Sequence, residues 1–475
     1  MEAPHEQEKV VRSQEAAVND TEVGANDLAR WHPAKWQSNV TIVSCYIANF
    51  SDGLQNSLAN PTNVIFKKLL GTGYSSDMKT RMSNSVIVGA ILGVVVFGFT
   101  SDLFSRRGGL LVTSSLVTIG TLMSTLALQV HPSHNMLWFM VITRGIAGFG
   151  VGGEYPPSAA AGLEESDEVT KRYRGPLFVS FTTLMATLAG PILQIIYFIC
   201  LVASGNNVTV AYHAIYSIAT LVPLFIVVLR LLMVDSALFH QSNLKKQRRS
   251  PRLYLDLVRR YWWRIFTTSL AFFLYDFINF PNSIMSSTII SSLVKDGDIR
   301  QTATWQVILA VLPVPGVMIG AWLTNAIGRR NTGIAGFAGY VVLGFIIGGT
   351  YSKLSKHIAA FVVLYGLLQA FGHMGPGATI GLISSESFPT AIRGMGYGIA
   401  TAFGRTGAAV GTQCFTPLED AAGTSSTFYL AGGVAVLGII VYCFLPESSK
   451  MNLAKEDREL EAYLAQHGYE LENNS

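Results

Sequence analysis

The sequence predicts an all-α integral membrane protein with twelve transmembrane helices, arranged as two pseudo-symmetric bundles of six. Half of its 475 residues are hydrophobic and only 13% are charged, whereas soluble proteins carry about 25% charged residues. Apolar runs of about 20 residues, long enough to cross a bilayer, recur along the chain. We place the spans at residues 38–58, 84–103, 109–129, 136–162, 176–203, 210–234, 262–291, 303–327, 332–351, 357–384, 392–416 and 426–445.

Polar landmarks that occur twice indicate an internal duplication. Asp52 and Asp276 are 224 residues apart, and Asp102 and Asn325 are 223 apart. Two six-helix halves in parallel repeat are typical of a large class of transporters. We expect a polar tail, a first bundle, a basic linker on the cytoplasmic membrane surface, a second bundle and a second tail. These occupy residues 1–36, 37–234, 235–261, 262–446 and 447–475.

The loop cations predict the orientation. If both termini are cytoplasmic, sixteen Lys and Arg residues fall in the cytoplasmic linkers and eight in the opposite loops. This excess satisfies the positive-inside rule. We therefore expect a multi-pass protein of the plasma membrane with both termini in the cytoplasm.

Ionisable residues inside the spans are the candidate functional residues, because a charge in hydrocarbon is costly and usually functional. Asp52 and Asp276 lie in the first span of each half. Arg144 and Glu154 lie ten residues apart in span four, about 15 Å along a helix. They cannot pair directly, so each needs another partner or a watery cavity.

Three further polar residues leave alternatives open. Arg405 in span eleven offers bidentate recognition of phosphate, or else forms a structural ion pair with Asp276 or Glu386. His373 beside a Gly-Pro sequence either binds substrate or packs. Arg230, near an end of span six, is expected to extend its side chain to the membrane surface.

Two short loops have the same shape and are candidate gates. Asp102 and Arg106 are four residues apart at the end of span two, so they share one helical face and can pair. Asn325 stands at the corresponding position at the end of span eight. An ordinary ion pair at the membrane surface is the alternative. The gating candidates are Asp102, Arg106, Arg107, Asn325 and Arg329.

These loops, the duplicated halves and the Pro446-Glu-Ser448 ending resemble the major facilitator superfamily, over residues 38–448. The string Gly152-Gly-Glu-Tyr-Pro156 resembles the phosphate–proton symporter branch. Phe273-Leu-Tyr-Asp-Phe277 and Cys414-Phe-Thr-Pro417 are similar to sequences of fungal glycerophosphoinositol permeases. The resemblance implies a proton-coupled transporter.

The chain departs from the phosphate symporters at the implied site. Tyr155 and Asp276 match, but the implied glutamine of span five is Met185. Phenylalanines replace the aromatic donors around Asp276, and His373 and Gly377 replace asparagines of span ten. The site thus has fewer hydrogen-bond donors but keeps its charged residues. Such a site favours a larger anion with one charge, such as a phosphodiester. The resemblance also implies a second acid in span one, where this chain has Gln55.

The sequence thus predicts a proton-coupled importer of a glycerophosphodiester, most favourably glycerophosphoinositol. An inorganic phosphate symporter is the alternative, followed by a non-transporting nutrient sensor. We expect no enzymatic activity, cofactor, metal or nucleic-acid partner; the partners are the anion, protons and the lipid bilayer. The predicted substrate-binding residues are Asp276, Tyr155, Arg405, Asn279, Phe272, Phe280, His373, Gln369 and Gln194, with Asn282 as a further head-group candidate, and the proton-coupling residues are Asp52, Glu154, Asp276 and Arg144.

Overall fold

The structure is a computed structural model that describes residues 35–100, 106–169, 174–232, 251–389, 392–451 and 453–466. In these ranges the regular structure is helical throughout, with no strand. The predicted fold class is confirmed. The helices of the first half are α1 (Lys35–Ser57), α2 (Ala59–Leu70), α3 (Ser76–Thr100), α4 (Arg106–Thr125), α5 (Ser133–Val169), α6 (Arg174–Val179), α7 (Met185–Ala203) and α8 (Val208–Leu231).

The second half also forms six spans, and a short helix follows it. Spans one, five, eight and ten each consist of two consecutive helices. The helices are α9 (Pro251–Leu293), α10 (Ile299–Val311), α11 (Pro313–Ala326), α12 (Arg329–Leu354), α13 (Ile358–Gly372), α14 (Ala378–Glu386), α15 (Arg393–Ala422), α16 (Thr424–Phe444) and α17 (Leu453–Gln466).

Spans five and ten contain matching π-helical turns. One turn, Ser180–Leu184, joins α6 to α7, and the other, His373–Gly377, joins α13 to α14. The two turns face each other, because Thr183 donates a hydrogen bond of 3.1 Å to the carbonyl of Gly377. Such wide turns are frequent at functional sites.

Nine helical segments of the described chain are long and apolar enough to cross a membrane. The other three crossings are α1 with α2, α9 and α15, which carry Asp52, Asp276 and Arg405 respectively. These three spans therefore hold three of the charges that the sequence singles out.

Glycines let the helices of each half pack with their backbones in contact, as in other membrane bundles. A Cβ added at Gly148 or Gly152 of α5 would lie 2.2 Å or 2.0 Å from a backbone oxygen of α3. In the second half, a Cβ at Gly411 of α15 would lie 2.2 Å from the Phe277 oxygen of α9. Each half is therefore tightly packed internally.

The seventh span is longer than predicted. Helix α9 begins at Pro251 rather than at residue 262, so part of the predicted linker is helical. The reason is packing: Leu257 is buried against Phe388 and Leu460, the last of which lies on α17. Residues 235–250 lie outside the described residues, as do residues 1–34 of the first tail.

The backbone contact of Gly148 predicts a matched pair of variants. Gly148→Ala should lower the free energy of unfolding by about 1–3 kcal/mol, because overpacking forces backbone shifts. Gly433→Ala in α16 has open space around the new Cβ and should be neutral or stabilising. Thermal unfolding of the two purified variants checks this. Equal melting temperatures would contradict the close packing of α5 on α3.

Candidate functional site

The two halves enclose a cavity of about 280 Å³. Residues of spans one, four, five, seven, eight, ten and eleven line it, so both halves contribute to its wall. All nine residues predicted to bind substrate lie on this wall, although their role in binding stays a prediction. These are Asp276, Tyr155, Arg405, Asn279, Phe272, Phe280, His373, Gln369 and Gln194.

Arg405 is held between two aromatic rings. Its guanidinium carbon lies 4.7 Å from the centroid of the Tyr155 ring and 4.6 Å from that of Phe280. Its Nη2 donates a hydrogen bond of 2.5 Å to the Tyr155 hydroxyl, while its buried Nε has no partner. No carboxylate of the described chain approaches its nitrogens within 4.0 Å. The rings stabilise the cation by cation–π interaction, and the guanidinium edge keeps donors for an anion.

Two carboxylates share the cavity with this arginine. Asp52 and Asp276 are 4% and 6% exposed, and no described side chain donates a hydrogen bond to either carboxylate. Gly404 leaves room here, since a Cβ at this position would lie 3.2 Å from Asp276 Oδ2. The other ionisable residue of the wall is His373. With both acids ionised and Arg405 charged, the wall carries one net negative charge.

Neutral polar side chains cover much of the remaining wall. Gln194 and Gln369 are buried, and the Nε2 of Gln369 has no hydrogen-bond partner. His373 Nδ1 lies 3.4 Å from the Thr187 hydroxyl across the two halves. These groups suit a ligand with hydroxyls as well as a charge.

Asn282 does not line the cavity. Its Nδ2 donates to the carbonyl of Ile278 at 2.7 Å and to the Tyr340 hydroxyl at 3.0 Å. The Tyr365 hydroxyl donates to its backbone oxygen. The Asn282 side chain therefore forms hydrogen bonds with a backbone carbonyl and a tyrosine hydroxyl near Pro281. The geometry gives no support to its predicted role in binding the head group.

The predicted site omits several polar residues of the wall, among them Asn60, Ser286 and Gln306. They come from α2, α9 and α10. A glutamine within the otherwise apolar eighth span was the available signal for Gln306. Ser286 carries little signal, because serine is common in membrane helices.

Glu154 does not face the cavity but pairs with Arg230. Arg230 Nη1 lies 2.7 Å from Glu154 Oε1 and also donates to the carbonyl of Leu110. Arg230 is 0% exposed, so the prediction that it reaches the membrane surface is wrong. Its Nη1 pairs with the carboxylate of a neighbouring helix inside the bundle instead, while its Nε and Nη2 are buried without a partner among the described residues.

Arg144 also lies away from the cavity wall. Its Nη1 donates to the Tyr216 hydroxyl at 3.0 Å, and its Nη2 to the carbonyl of Gln55 at 3.4 Å. The part of the chain that is described gives it no carboxylate partner. Arg144 is thus a fixed buried cation, and its predicted part in proton coupling stays a prediction.

Arg329 joins three segments of the second half. Its guanidinium contacts Glu386 at 3.4 Å and Asn325 Oδ1 at 3.4 Å. Glu447 accepts hydrogen bonds from the backbone nitrogens of Arg329 and Arg330, 2.9 and 3.1 Å away, and so caps α12.

The first-half gating candidates are described only in part. Asp102 lies outside the described residues, and Arg106 and Arg107 begin α4 with side chains that are not described. A gating role for all five candidates stays a prediction.

Comparison with known proteins identifies the class. The family model "Sugar (and other) transporter" matches residues 38–255 and 245–460. The chain belongs to this family and is a multi-pass membrane transporter of the major facilitator type.

Several individual proteins are similar to this chain over most of its length. The chain is 71% identical to "MFS-type transporter lnaF" of Aspergillus flavus, over 99% of this chain and 97% of that protein. It is 37% identical to "Glycerophosphoinositol transporter 1" of Saccharomyces cerevisiae, over 92% of this chain and 84% of the relative. "Glycerophosphoinositol permease 1" of Candida albicans is 35% identical over 92% of this chain and 83% of its own length.

A solved structure supports the fold. The proton:xylose symporter XylE matches with a TM-score of 0.73 at 18% identity, over 90% of this chain and 100% of that one. At this identity the match concerns the arrangement of helices alone.

The Glu154–Arg230 pair predicts a stability effect. Glu154→Gln should lower the free energy of unfolding by about 3–5 kcal/mol, since it leaves Arg230 as a buried charge without a partner. The double variant Glu154→Met/Arg230→Met should recover much of the loss. Thermal unfolding checks both. If Glu154→Gln kept full stability but altered the pH dependence of transport, Glu154 would act in proton coupling instead.

Proposed function

We propose that the chain is a proton-coupled secondary active transporter that imports a glycerophosphodiester, most favourably glycerophosphoinositol, across the plasma membrane. The observation that carries this proposal is Arg405, whose guanidinium edge faces a cavity between the halves while two rings cover its faces. A phosphodiester carries one negative charge, and one such edge matches it with bidentate hydrogen bonds.

Cavity size favours an organic anion over inorganic phosphate. A site of about 280 Å³ far exceeds the need of a five-atom ion, because a single water fits in about 10–15 Å³ on the same measure. The wall around Arg405 adds phenylalanines and neutral amides rather than further cations. Such a wall provides few donors for a doubly charged phosphate and many contacts for an alcohol group.

The relatives support the same substrate class. Two of them, at 37% and 35% identity, are named for glycerophosphoinositol. Another, at 26% identity, is named as a glycerophosphocholine permease. The common element of these names is the glycerophosphodiester.

Electrostatics supports coupling to protons. An anion that enters the cavity meets Asp52, Asp276 and Arg405, which together carry one net negative charge when both acids are ionised. Binding is then opposed, since a like charge in a poorly hydrated site is strongly repelled. Protonation of one aspartate removes this repulsion, so anion and proton bind best together.

Transport follows from rocking of the two halves around the cavity. Side chains of α3 and α15 meet at the outer seam, with hydrogen bonds from Thr80 to Thr416 and from Asn84 to the Ala409 carbonyl, each of 3.3 Å. A buried apolar cluster that includes Ile87, Ile284 and Ala408 also closes this seam. Separation of this seam opens the cavity outward. Proton and anion enter there, and they leave after the halves rock back.

Uptake into proteoliposomes tests the proposal. Labelled glycerophosphoinositol should accumulate when an inward pH gradient is imposed, and an excess of free phosphate should compete weakly. Strong competition by phosphate, with faster phosphate uptake, would favour the inorganic phosphate symporter. Specific binding without uptake would favour the sensor.

Arg405 should be essential for binding of the anion. Arg405→Lys keeps the charge but loses the planar fork, so we expect KM for glycerophosphoinositol to rise about tenfold or more. Arg81→Lys is the matched control, because Arg81 lies outside the cavity and pairs with exposed Asp77. An unchanged KM in Arg405→Lys would contradict this role.

Asp276 should couple transport to protons. In Asp276→Asn, uptake driven by a pH gradient should fall at least tenfold, while exchange of labelled for unlabelled substrate should persist, because a neutral side chain admits the anion without a proton. Asp77→Asn, at an exposed acid, serves as the control. Intact pH-driven uptake in Asp276→Asn would contradict this assignment.

A further inference from the structure

Three polar residues at the outer end of the cavity form a cluster that is not among the predicted binding residues. Ser286 Oγ lies 3.4 Å from Asn60 Oδ1 and 3.4 Å from Gln306 Oε1. All three side chains are buried, with exposures of 3%, 9% and 4% for Ser286, Asn60 and Gln306. They line the same cavity as Arg405.

The cluster lies away from the charged groups along the membrane normal. Asn60 follows Asp52 by eight residues and Ser286 follows Asp276 by ten, which is about 12 Å and 15 Å at 1.5 Å per residue. Both displacements run towards the ends of α2 and α9 that face away from the basic linker. The cavity is therefore elongated, with a charged end and an amide–hydroxyl end.

We propose that Asn60, Ser286 and Gln306 form a subsite for the vicinal hydroxyls of a cyclic polyol. The proposal rests on the proposed function, because it assigns the head group of the phosphodiester bound at Arg405. The polyol occupies the outer end of the cavity and the phosphate the inner end.

The hydrogen-bonding capacity of the cluster matches this ligand. Gln306 Nε2 is buried and has no partner among the described residues, and a buried unsatisfied donor costs about 1–3 kcal/mol. Ser286 Oγ donates its hydrogen to the Ser283 carbonyl at 2.7 Å, so its 3.4 Å contacts with the two amide oxygens are weak. Its lone pairs are left to accept a hydrogen bond from a ligand hydroxyl. A hydroxyl both donates and accepts, and neighbouring hydroxyls satisfy an amide and a serine together.

A quaternary ammonium head group fits the cluster poorly. Recognition of such a group relies on the open faces of aromatic rings. In this cavity the rings of Tyr155 and Phe280 cover Arg405. The rings of Phe272 and Tyr397 pack edge to face, with their centroids 6.3 Å apart. The amide end offers hydrogen bonds instead. The subsite therefore selects inositol-like over choline-like head groups.

The subsite also bridges the two halves. Asn60 belongs to the first half, whereas Ser286 and Gln306 belong to the second. A polyol bound here contacts both sides of the outer seam, so its binding favours closure of that seam over it.

Ligand-dependent thermal stabilisation of the purified full-length protein tests the subsite. The ligands are free myo-inositol, choline and inorganic phosphate, each at high millimolar concentration, applied to the wild type, Gln306→Met and Ser286→Ala. The matched control is Gln413→Met, because Gln413 is an exposed amide of α15 that does not line this cavity.

We expect myo-inositol, and not choline, to stabilise the wild type and Gln413→Met. Gln306→Met should lose this stabilisation and Ser286→Ala should weaken it, while stabilisation by phosphate persists in both. In transport, Gln306→Met should raise KM for glycerophosphoinositol about tenfold with little change in maximal rate.

Other outcomes overturn the subsite. These are no stabilisation of the wild type by myo-inositol, equal stabilisation by choline, equal stabilisation of every variant, or joint loss of the phosphate effect in Gln306→Met. Failure of wild-type uptake of glycerophosphoinositol overturns the proposed function alone. The subsite then stands if myo-inositol binding still depends on Gln306.

Discussion

The arrangement of this protein depends on one constraint: a charge inside a bilayer needs a partner or a cavity. Some buried charges meet it with an ion pair inside one half. Arg230 lies 2.7 Å from Glu154, and Arg329 contacts Glu386. Arg405 meets it differently, through two aromatic rings and one hydroxyl, and no described carboxylate lies within pairing distance of it. The proposed transport site is where Arg405, Asp52 and Asp276 share one cavity wall.

The helix interfaces inside each half are packed differently from the seam between the two halves. Within each half, glycines bring helices into backbone contact, and even a single methyl group would meet a carbonyl oxygen. Across the seam between α3 and α15, the halves meet through side chains, with a hydrogen bond of 3.3 Å from Thr80 to Thr416 and an apolar cluster around Ile87. Such contacts can separate without disturbing the backbone packing inside each half, as the proposed rocking of the halves requires.

The sequence predicted the fold and the wall of the cavity because both depend on where polar residues interrupt apolar runs. An aspartate or arginine in such a run is visible without a structure, and nine predicted residues do lie on one wall. The environment of Arg230 was not predictable in this way, because it depends on which helix stands beside it. The length of α9 was missed because a run of arginines conceals its buried face, on which Leu257 packs against α17.

The paired π-helical turns of spans five and ten have a consequence for how such a protein diverges. Each turn, at Ser180–Leu184 and at His373–Gly377, holds one residue more than an α-helix of the same length. Deletion of a single residue there restores regular α-helical winding, which changes the side chains that the turn itself presents while the flanking half-helices keep their orientation. New side chains would then face the ligand while both membrane-surface ends stay in place. Single-residue insertions and deletions at these turns thus provide a route to new transported molecules on an unchanged scaffold.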